Sequence, residues 1–217
     1  ALAGWSSAQV SALSAGQIQG ISVSQIGQLR GDQISALGAN LNALNSTQLV
    51  AIETRDIPDL SLSQISGLST GLLRSLNSGQ LAALTGDQVV AMSPAQIATL
   101  ATGQLRHLET RDFNQMSSAQ IAALTSAQLA SLSSQHVLAL TPEQIPVLST
   151  AQLAYLTTGQ IQVLSADQVQ VLKAAQLSAL STRQISSLGT SAVQALTPDQ
   201  LGAITTFQMP ALRQGQI

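Results

Sequence analysis

Two short segments hold much of the charge of this chain, and their residues are the ones that could do chemistry. Glu53-Thr54-Arg55-Asp56 recurs as Glu109-Thr110-Arg111-Asp112, and the two tetrapeptides contain six of the 18 charged residues. A guanidinium beside carboxylates can bind a charged group of a partner, whereas these carboxylates are too few for the roughly 6–8 oxygens that calcium takes. The candidate partner-contact residues are therefore Glu53, Arg55, Asp56, Glu109, Arg111 and Asp112.

Neither histidine completes a catalytic or metal site. His107 lies close in sequence to Glu109, but protein zinc sites combine several His or Cys ligands at defined spacings, and this chain has two histidines and no cysteine. Serine is so common here that a Ser, a His and an Asp are expected near one another by chance. The sequence predicts no catalytic, metal-binding or cofactor-binding residue, and we do not expect an enzyme.

The composition excludes several classes of protein. Only 8% of the 217 residues are charged and 2% are aromatic, the net charge is −2, and 45% are hydrophobic, which is too apolar for a charged disordered tail. The absence of cysteine excludes a disulfide scaffold and thiol redox chemistry. Eight basic residues are scattered among ten acidic ones, so no nucleic-acid partner is expected.

An eight-residue repeat runs through the chain. After a lead-in of residues 1–5, the unit Ser/Thr-x-x-Gln-apolar-x-x-Leu begins at Ser6 and occurs 26 times up to Leu212, followed by a partial copy that ends at Ile217. Position 4 is Gln in 20 copies, position 5 is apolar in all 26, and position 8 is Leu in 21. No linker interrupts the pattern, so residues 6–217 are predicted to form a single continuous array.

Each repeat carries the signals of a helix start. Ser or Thr three residues before Gln is typical of a capping box, in which the hydroxyl accepts from the N–H at N3 and the Gln side chain reaches back to the N–H of the cap. Pro94, Pro142 and Pro198 fall at the first helical position, where proline is favoured. His136 replaces the Gln of its repeat, and we expect it to imitate the cap hydrogen bond.

One long helix would not keep the apolar positions on one face. Eight residues at about 100° each rotate the apolar pair by about 80° per repeat, so the helix must restart at every cap. Helices this short are unstable alone and gain their stability by stacking on neighbours. The sequence therefore predicts an all-α solenoid, or superhelix, of very short capped helices, one per eight-residue repeat.

Three prolines conflict with a regular helix in every repeat. Pro58, Pro146 and Pro210 fall at position 6, where a helix uses the backbone N–H, so we expect these helices to end early or to have a distorted last turn. The alternative fold is a β-solenoid, which the β-branched residues at about half of the position-5 sites would suit. The caps and the abundance of Ala, Gln and Leu favour helices.

The two tetrapeptides also have a structural interpretation. In each, Glu replaces the Ser/Thr cap and Asp replaces the Gln, and the copies are seven repeats apart. This spacing fits either a duplication or one turn of a superhelix, with Arg–Asp pairs that link neighbouring repeats. Contact with a ligand or partner is the competing interpretation.

The repeats of Ser117–Leu132, Ser-Ser-Ala-Gln-Ile-Ala-Ala-Leu and Thr-Ser-Ala-Gln-Leu-Ala-Ser-Leu, resemble the short Ser/Thr-x-x-Gln-Leu/Ile/Val repeats of large secreted or surface-exposed bacterial proteins, adhesin-like and RTX-like ones among them. The resemblance implies a bacterial protein, an extracellular or cell-surface location, and an elongated spacer or adhesive scaffold. It implies no functional residues. The alternative function is a superhelical binding module for a peptide, glycan or cation.

The expected partners follow from these interpretations. We expect a protein or glycan partner, or end-to-end self-association, because neither terminal repeat has the polar outer face that ends most solenoids. No apolar stretch approaches the roughly 20 residues of a membrane-spanning helix, so no membrane insertion is expected within this segment. The chain begins with Ala1 and stops within a repeat, and we expect it to be a piece of a longer protein.

Overall fold

The computed structural model describes residues 2–213 and 215–216, which form two compact units, Ala1–Leu108 and Glu109–Ile217. The boundary falls between two repeats, and the sequence pattern continues across it. The single array of residues 6–217 stays a prediction. Ala1 of the lead-in, and Gln214 and Ile217 of the partial repeat, lie outside the described residues.

Short helices follow one another along both units. In unit 1, Ala1–Leu108, the α-helices are α1 (Ser7–Ser11), α2 (Ala15–Gln19), α3 (Val23–Ile26), α4 (Gly31–Ala36), α5 (Ser46–Val50), α6 (Leu62–Gly67), α7 (Thr70–Ser75), α8 (Ser78–Ala82), α9 (Gly86–Ala91), α10 (Pro94–Thr99) and α11 (Thr102–Leu105). Its 3-10 helices are Leu2–Gly4, Gly38–Ala43 and Thr54–Asp59.

Unit 2, Glu109–Ile217, has the same construction. Its α-helices are α12 (Thr110–Gln115), α13 (Ser118–Ala123), α14 (Ser126–Ser131), α15 (Ser134–Leu138), α16 (Thr150–Ala154), α17 (Thr158–Gln162), α18 (Ala166–Gln170), α19 (Ala174–Ser178), α20 (Thr182–Ser187), α21 (Thr190–Gln194) and α22 (Pro198–Ala203), and its 3-10 helices are Ile145–Val147 and Met209–Ala211. The described residues contain no strand, so the all-α fold is confirmed and the β-solenoid alternative is wrong.

Most of the α-helices begin at a polar cap, and all of those in the described residues end before position 8 of their repeat. In α10, Ser93 Oγ accepts from the N–H of Gln96 at 3.1 Å, and Gln96 Oε1 accepts from the N–H of Ser93 at 2.7 Å. Leu100, at position 8, has extended backbone angles (φ −60°, ψ 138°), so the helix stops there. The chain then enters the next cap, which explains why one helix fits in each repeat.

The prolines act as their positions predict, with one exception. Pro58, Pro146 and Pro210 all lie in 3-10 helices, which confirms the distorted last turn: proline has no N–H for the α-helical bond. Pro94 and Pro198 open α10 and α22 as expected. Pro142 lies in a turn and not at the start of an α-helix, because Pro146 follows in the same repeat.

The core of each unit is built from positions 5 and 8. The position-5 side chains from Val10 to Ile185 are at most 1% exposed, and the position-8 side chains from Leu29 to Leu188 are at most 5% exposed. Helices pack on helices three repeats away, as α17 does on α20 and α18 on α21. Each unit therefore stacks successive turns of a superhelix, whose apolar residues lie between the turns. None of the helices among the described residues is long and apolar enough to cross a membrane.

Candidate functional site

The glutamines at position 4 do more than cap their own helices. Gln88 is 1% exposed, and its Oε1 accepts from the N–H of Thr85 at 2.9 Å. Its Nε2 donates to the carbonyls of Ile57 at 2.9 Å and Leu60 at 2.8 Å, which belong to the preceding turn of the superhelix. All of the hydrogen-bonding groups of this buried amide are therefore used, as burial of a polar group requires.

The same bonds recur along both units. Nε2 bonds to carbonyls of the preceding turn are made by Gln33, Gln48, Gln64, Gln80, Gln88, Gln96 and Gln104 in unit 1 and by Gln144, Gln152, Gln160, Gln168, Gln176, Gln184, Gln200, Gln208 and Gln216 in unit 2. The acceptors are mostly the residues 28 and 31 positions earlier, at positions 8 and 5 of a previous repeat. One turn therefore takes about 28 residues, or three and a half repeats.

The short helices explain why the amides are needed. The last four carbonyls of an α-helix have no intrahelical partner, and helices of five or six residues consist almost entirely of such ends. The two N–H groups of each Gln supply donors to the carbonyls at the end of a helix one turn away. We call these contacts the inter-turn amide bonds.

The lead-in takes part in the same pattern. Gln33 Nε2 donates to the carbonyls of Leu2 at 3.1 Å and Trp5 at 2.7 Å, which lie 31 and 28 residues earlier. Leu2 is buried. Residues 2–5 thus supply the acceptors that positions 5 and 8 supply in other repeats.

The first tetrapeptide lies at the start of the 3-10 helix Thr54–Asp59. Arg55 Nη2 is 2.8 Å from Glu53 Oε2, and Arg55 Nε is 3.7 Å from Asp56 Oδ2. The side chain of Arg55 is 74% exposed, whereas that of Asp56 is 9% exposed. An exposed Glu–Arg pair therefore lies beside a buried carboxylate.

The second tetrapeptide repeats this arrangement at the start of α12. Arg111 Nε is 2.9 Å from Glu109 Oε2 and 3.9 Å from Asp112 Oδ1, and Asp112 is 1% exposed. Asp112 Oδ2 accepts from the N–H of Glu109 at 3.0 Å, so it performs the capping part of the Gln role. Both copies bring their own Glu, Arg and Asp together, one in each unit, and the cap hydrogen bond is present in the second.

Neither Asp56 nor Asp112 can donate the inter-turn hydrogen bonds that a Gln makes at this position. A carboxylate has no N–H to give to the preceding turn, and Asp56 Oδ2 and Asp112 Oδ1 are buried and have no hydrogen-bond partner among the described residues. Burial raises the pKa of Asp56 and of Asp112 above the ordinary value, because desolvation disfavours the charged form and outweighs the attraction of the neighbouring arginine. The tetrapeptides are therefore the places where the inter-turn amide bonds are interrupted by a group that can titrate.

The structure corrects two details of the structural interpretation. The Arg–Asp pairs lie within one tetrapeptide and do not link neighbouring repeats, because Arg55 and Arg111 each fold back onto their own Glu and Asp. A turn of about 28 residues within each unit also means that the 56-residue spacing is not one turn. Among the described residues, no group of three or more His, Cys, Asp or Glu could hold a metal ion.

In unit 1, the charged side chains of Arg30, Asp32 and Asp59 lie around Gly31. The carboxylate of Asp59 lies so close to Gly31 that a Cβ on this glycine would be 1.7 Å from Asp59 Oδ2. Beside Gly31, Arg30 pairs with Asp32 at 3.0 Å, and Ser7 Oγ donates to Asp32 at 2.7 Å. Any larger residue at position 2 of this repeat would therefore require Asp59 to move.

His136 imitates glutamine, as predicted. Its Nδ1 lies 3.3 Å from the backbone nitrogen of Ser133, and Ser133 Oγ accepts from the N–H of His136 at 3.3 Å. Its ring also packs on Phe113, with ring centroids 4.8 Å apart. His107 is exposed.

The capping pattern alone does not predict the inter-turn amide bonds, although the sequence carries a signal for them. A capping box accepts Glu or Gln at N3, yet no repeat has Glu at position 4. The use of Gln and never Glu indicates that the Nε2 donors are needed as well as Oε1.

Comparison with known proteins identifies the repeat. A family model described as the ALTTAQ repeat matches residues 70–102, 105–142 and 169–214, which together make up more than half of the chain. No curated protein matches the chain.

Proposed function

Since the chain belongs to the ALTTAQ repeat family, we propose that it is a structural and interaction segment of a larger bacterial surface or secreted protein. In this proposal it is an elongated spacer or adhesive scaffold and not an enzyme. The observation that carries the proposal is the series of inter-turn amide bonds, because the same bond joins successive turns in both units. A structure whose turns contact only nearby turns is extended simply by adding repeats, which suits a spacer.

The chemistry of the chain supports an exposed location. Cysteine is absent and only 8% of the residues are charged, so the fold depends on no disulfide and a change of salt concentration affects few interactions. The main hydrogen bonds between turns are buried and neutral. The bacterial extracellular or cell-surface location also follows the resemblance of Ser117–Leu132 to repeats of secreted proteins.

Distances between spin labels test the spacer. Ala119 and Ala175 are exposed position-3 residues of unit 2, 56 residues apart, which is two turns. If stacked helices lie roughly 8–10 Å apart, the Ala119→Cys/Ala175→Cys protein should give one narrow distance distribution near about 20 Å, and it should be unchanged between low and high salt. The same labelled protein in concentrated urea is the control for a flexible chain. A broad distribution without urea would overturn the rigid spacer.

A second candidate is a binding module for a protein or glycan, favoured by the exposure of Arg55 and Arg111 beside their glutamates. If the tetrapeptides contact a glycan, the labelled chain should bind defined spots of a glycan array, and Arg55→Gln/Arg111→Gln should abolish the binding. The matched control, Arg106→Gln/Arg183→Gln, removes two other exposed arginines and should bind normally. Equal binding by both double variants would remove the tetrapeptides from the site.

A further inference from the structure

Three exposed aspartates of unit 1 lie on the same side of the superhelix, one turn apart. Asp87 follows Asp59 by 28 residues, which is one turn, and Asp59 follows Asp32 by 27 because the intervening repeat, Gly38–Leu44, has lost a residue. The contact of Asp59 with Gly31, directly beside Asp32, agrees with this alignment. We call Asp32, Asp59 and Asp87 the acidic row of unit 1, since each of three successive turns contributes one carboxylate.

Helix capping explains two members of the row but not the third. Asp32 and Asp87 lie in the first turns of α4 and α9, where an anion suits the helix dipole. Asp59 is the last residue of the 3-10 helix Thr54–Asp59, and the dipole disfavours an anion at that end. The repeat does not require it either, because Gln115 stands at the equivalent position after the second tetrapeptide. Asp59 therefore adds negative charge to the row without a capping role.

A buried carboxylate without a hydrogen bond lies beside Asp59. The side chain of Asp56 is 9% exposed, and its Oδ2 has no hydrogen-bond partner among the described residues. Arg55 Nε is 3.7 Å from this oxygen, which is too long for a hydrogen bond. Burial raises the pKa of Asp56, the charge of Asp59 raises it further, and the backbone of Gly31 lowers it. Both carboxylates thus act at Gly31, where they repel each other and leave an acceptor unsatisfied.

The chemistry of this site fits the ammonium group of a lysine. A lysine ammonium is a compact cation with three N–H donors and no acceptor, so it can neutralise Asp59 and give Asp56 Oδ2 the donor that it lacks. The side chain of Arg55 is 74% exposed, and exposed side chains change rotamer within nanoseconds, which gives the ammonium access. Calcium fits less well, because it takes roughly 6–8 oxygens and the described residues hold no group of three metal-binding side chains.

The acidic row also sets the spacing of the basic groups that fit it. Stacked helices lie roughly 8–10 Å apart, so the carboxylates of neighbouring turns have about this separation along the superhelix. In a polyproline II segment every third residue lies on the same side, and a rise of about 3.1 Å per residue places these residues about 9 Å apart. A segment with lysine at every third residue therefore presents one ammonium group to each turn.

We propose that the acidic row of unit 1 docks an extended protein segment with lysine at every third residue, one lysine binding Asp56 and Asp59 and the next binding Asp87. Asp32 already pairs with Arg30 at 3.0 Å and adds only its field. The contact does not depend on the spacer role. It concerns unit 1 alone, whereas the spin-label distances test unit 2 with no peptide present, so either proposal can fail without the other.

Fluorescence anisotropy of a dye-labelled peptide, Lys-Pro-Pro-Lys-Pro-Pro-Lys, tests the docking. At low salt the anisotropy should rise to saturation as the chain is added up to about 1 mM. Asp59→Asn/Asp87→Asn keeps the shapes of two exposed side chains and removes their charges, and it should weaken binding about tenfold, since each exposed ion pair adds up to about fivefold. Asp167→Asn/Asp199→Asn makes the same charge change at exposed residues of unit 2 and should bind like the unmodified chain.

Two further ligands separate spacing from charge. Pro-Pro-Lys-Lys-Lys-Pro-Pro has the same composition with adjacent lysines, and it should bind more weakly than the spaced peptide. Spermine offers ammonium groups without a peptide and should not displace the spaced peptide at an equal concentration. The proposal is overturned if the unmodified chain does not raise the anisotropy, if both double variants weaken binding equally, if the clustered peptide binds as tightly, or if spermine displaces the spaced peptide.

Discussion

The substitution Gln88→Glu measures how much one set of inter-turn amide bonds contributes to the free energy of unfolding. The substitution changes a single atom, since the Oε1 acceptor of the cap remains and Nε2 becomes an oxygen. The carbonyls of Ile57 and Leu60 lose donors at 2.9 and 2.8 Å. A carboxylate also comes to face their partial negative charges in a site where Gln88 is 1% exposed.

The expected loss of stability follows from these two carbonyls. A buried polar group left without its hydrogen bond costs about 1–3 kcal/mol, so two such groups and a buried charge should lower the free energy of unfolding by about 3 kcal/mol or more at pH 7. In acid the new carboxyl is protonated and can donate one hydrogen bond, so the loss should fall to roughly half.

Urea unfolding followed by circular dichroism measures this loss. With a urea dependence of about 2–3 kcal/mol/M, the transition midpoint of Gln88→Glu should fall by about 1–1.5 M. Gln17→Glu is the matched control: Gln17 has the same position, the same cap bond at 2.8 Å and no acceptor for Nε2 among the described residues. Its free energy of unfolding should stay within about 0.5 kcal/mol of that of the unmodified chain. Equal effects of the two substitutions would refute the inter-turn amide bonds as a source of stability.

Three further substitutions probe other parts of the structure. The raised pKa of Asp112 means that the folded state binds a proton more tightly than the unfolded state, so the free energy of unfolding should decline as pH rises above the ordinary value of 3.8. Asp112→Asn should flatten this decline in urea midpoints measured between about pH 3 and 7. An unchanged slope would contradict the prediction. Gly31→Ala should destabilise by about 1–3 kcal/mol because its Cβ meets Asp59, and the added substitution Asp59→Gly should recover part of the loss in thermal unfolding. Ser93→Ala removes a helix cap and should cost about 1 kcal/mol by urea titration; no change would mean that the cap at α10 is unimportant.

The local structure of each repeat could be predicted from its own residues. Ser93, Pro94 and Gln96 mark the start of α10 by rules that act within one turn of helix, and the structure begins the helix there. The prolines at position 6 predict a distorted end for the same reason, since the missing N–H of Pro58 affects only its own helix. The segregation of apolar residues to positions 5 and 8 was enough to predict the core.

The arrangement of the turns could not be predicted in this way. The angle between successive helices depends on how their side chains pack, and the octapeptide pattern carries no signal that distinguishes three from four repeats per turn. The partners of Gln88 are 28 and 31 residues away, so the bonds that fix the turn lie beyond any local rule. Likewise, the charge of the tetrapeptides is visible in the sequence, but the burial of Asp56 and Asp112 depends on their position in this larger pattern.

The inter-turn amide bonds explain why acidic residues are rare at position 4. At position 4, Gln Nε2 faces two carbonyl oxygens of the preceding turn, and an ionised Glu there would place negative oxygen against them. The only acidic residues at this position are Asp56 and Asp112. Their side chains are one methylene shorter than Glu and reach less far towards the preceding turn. Each also directly follows an arginine, Arg55 or Arg111, whose Nε lies 3.7 or 3.9 Å from the carboxylate. An acid is therefore accepted at position 4 where it is short and brings its own cation, which is why charge collects in these two tetrapeptides while the other repeats stay neutral at this position.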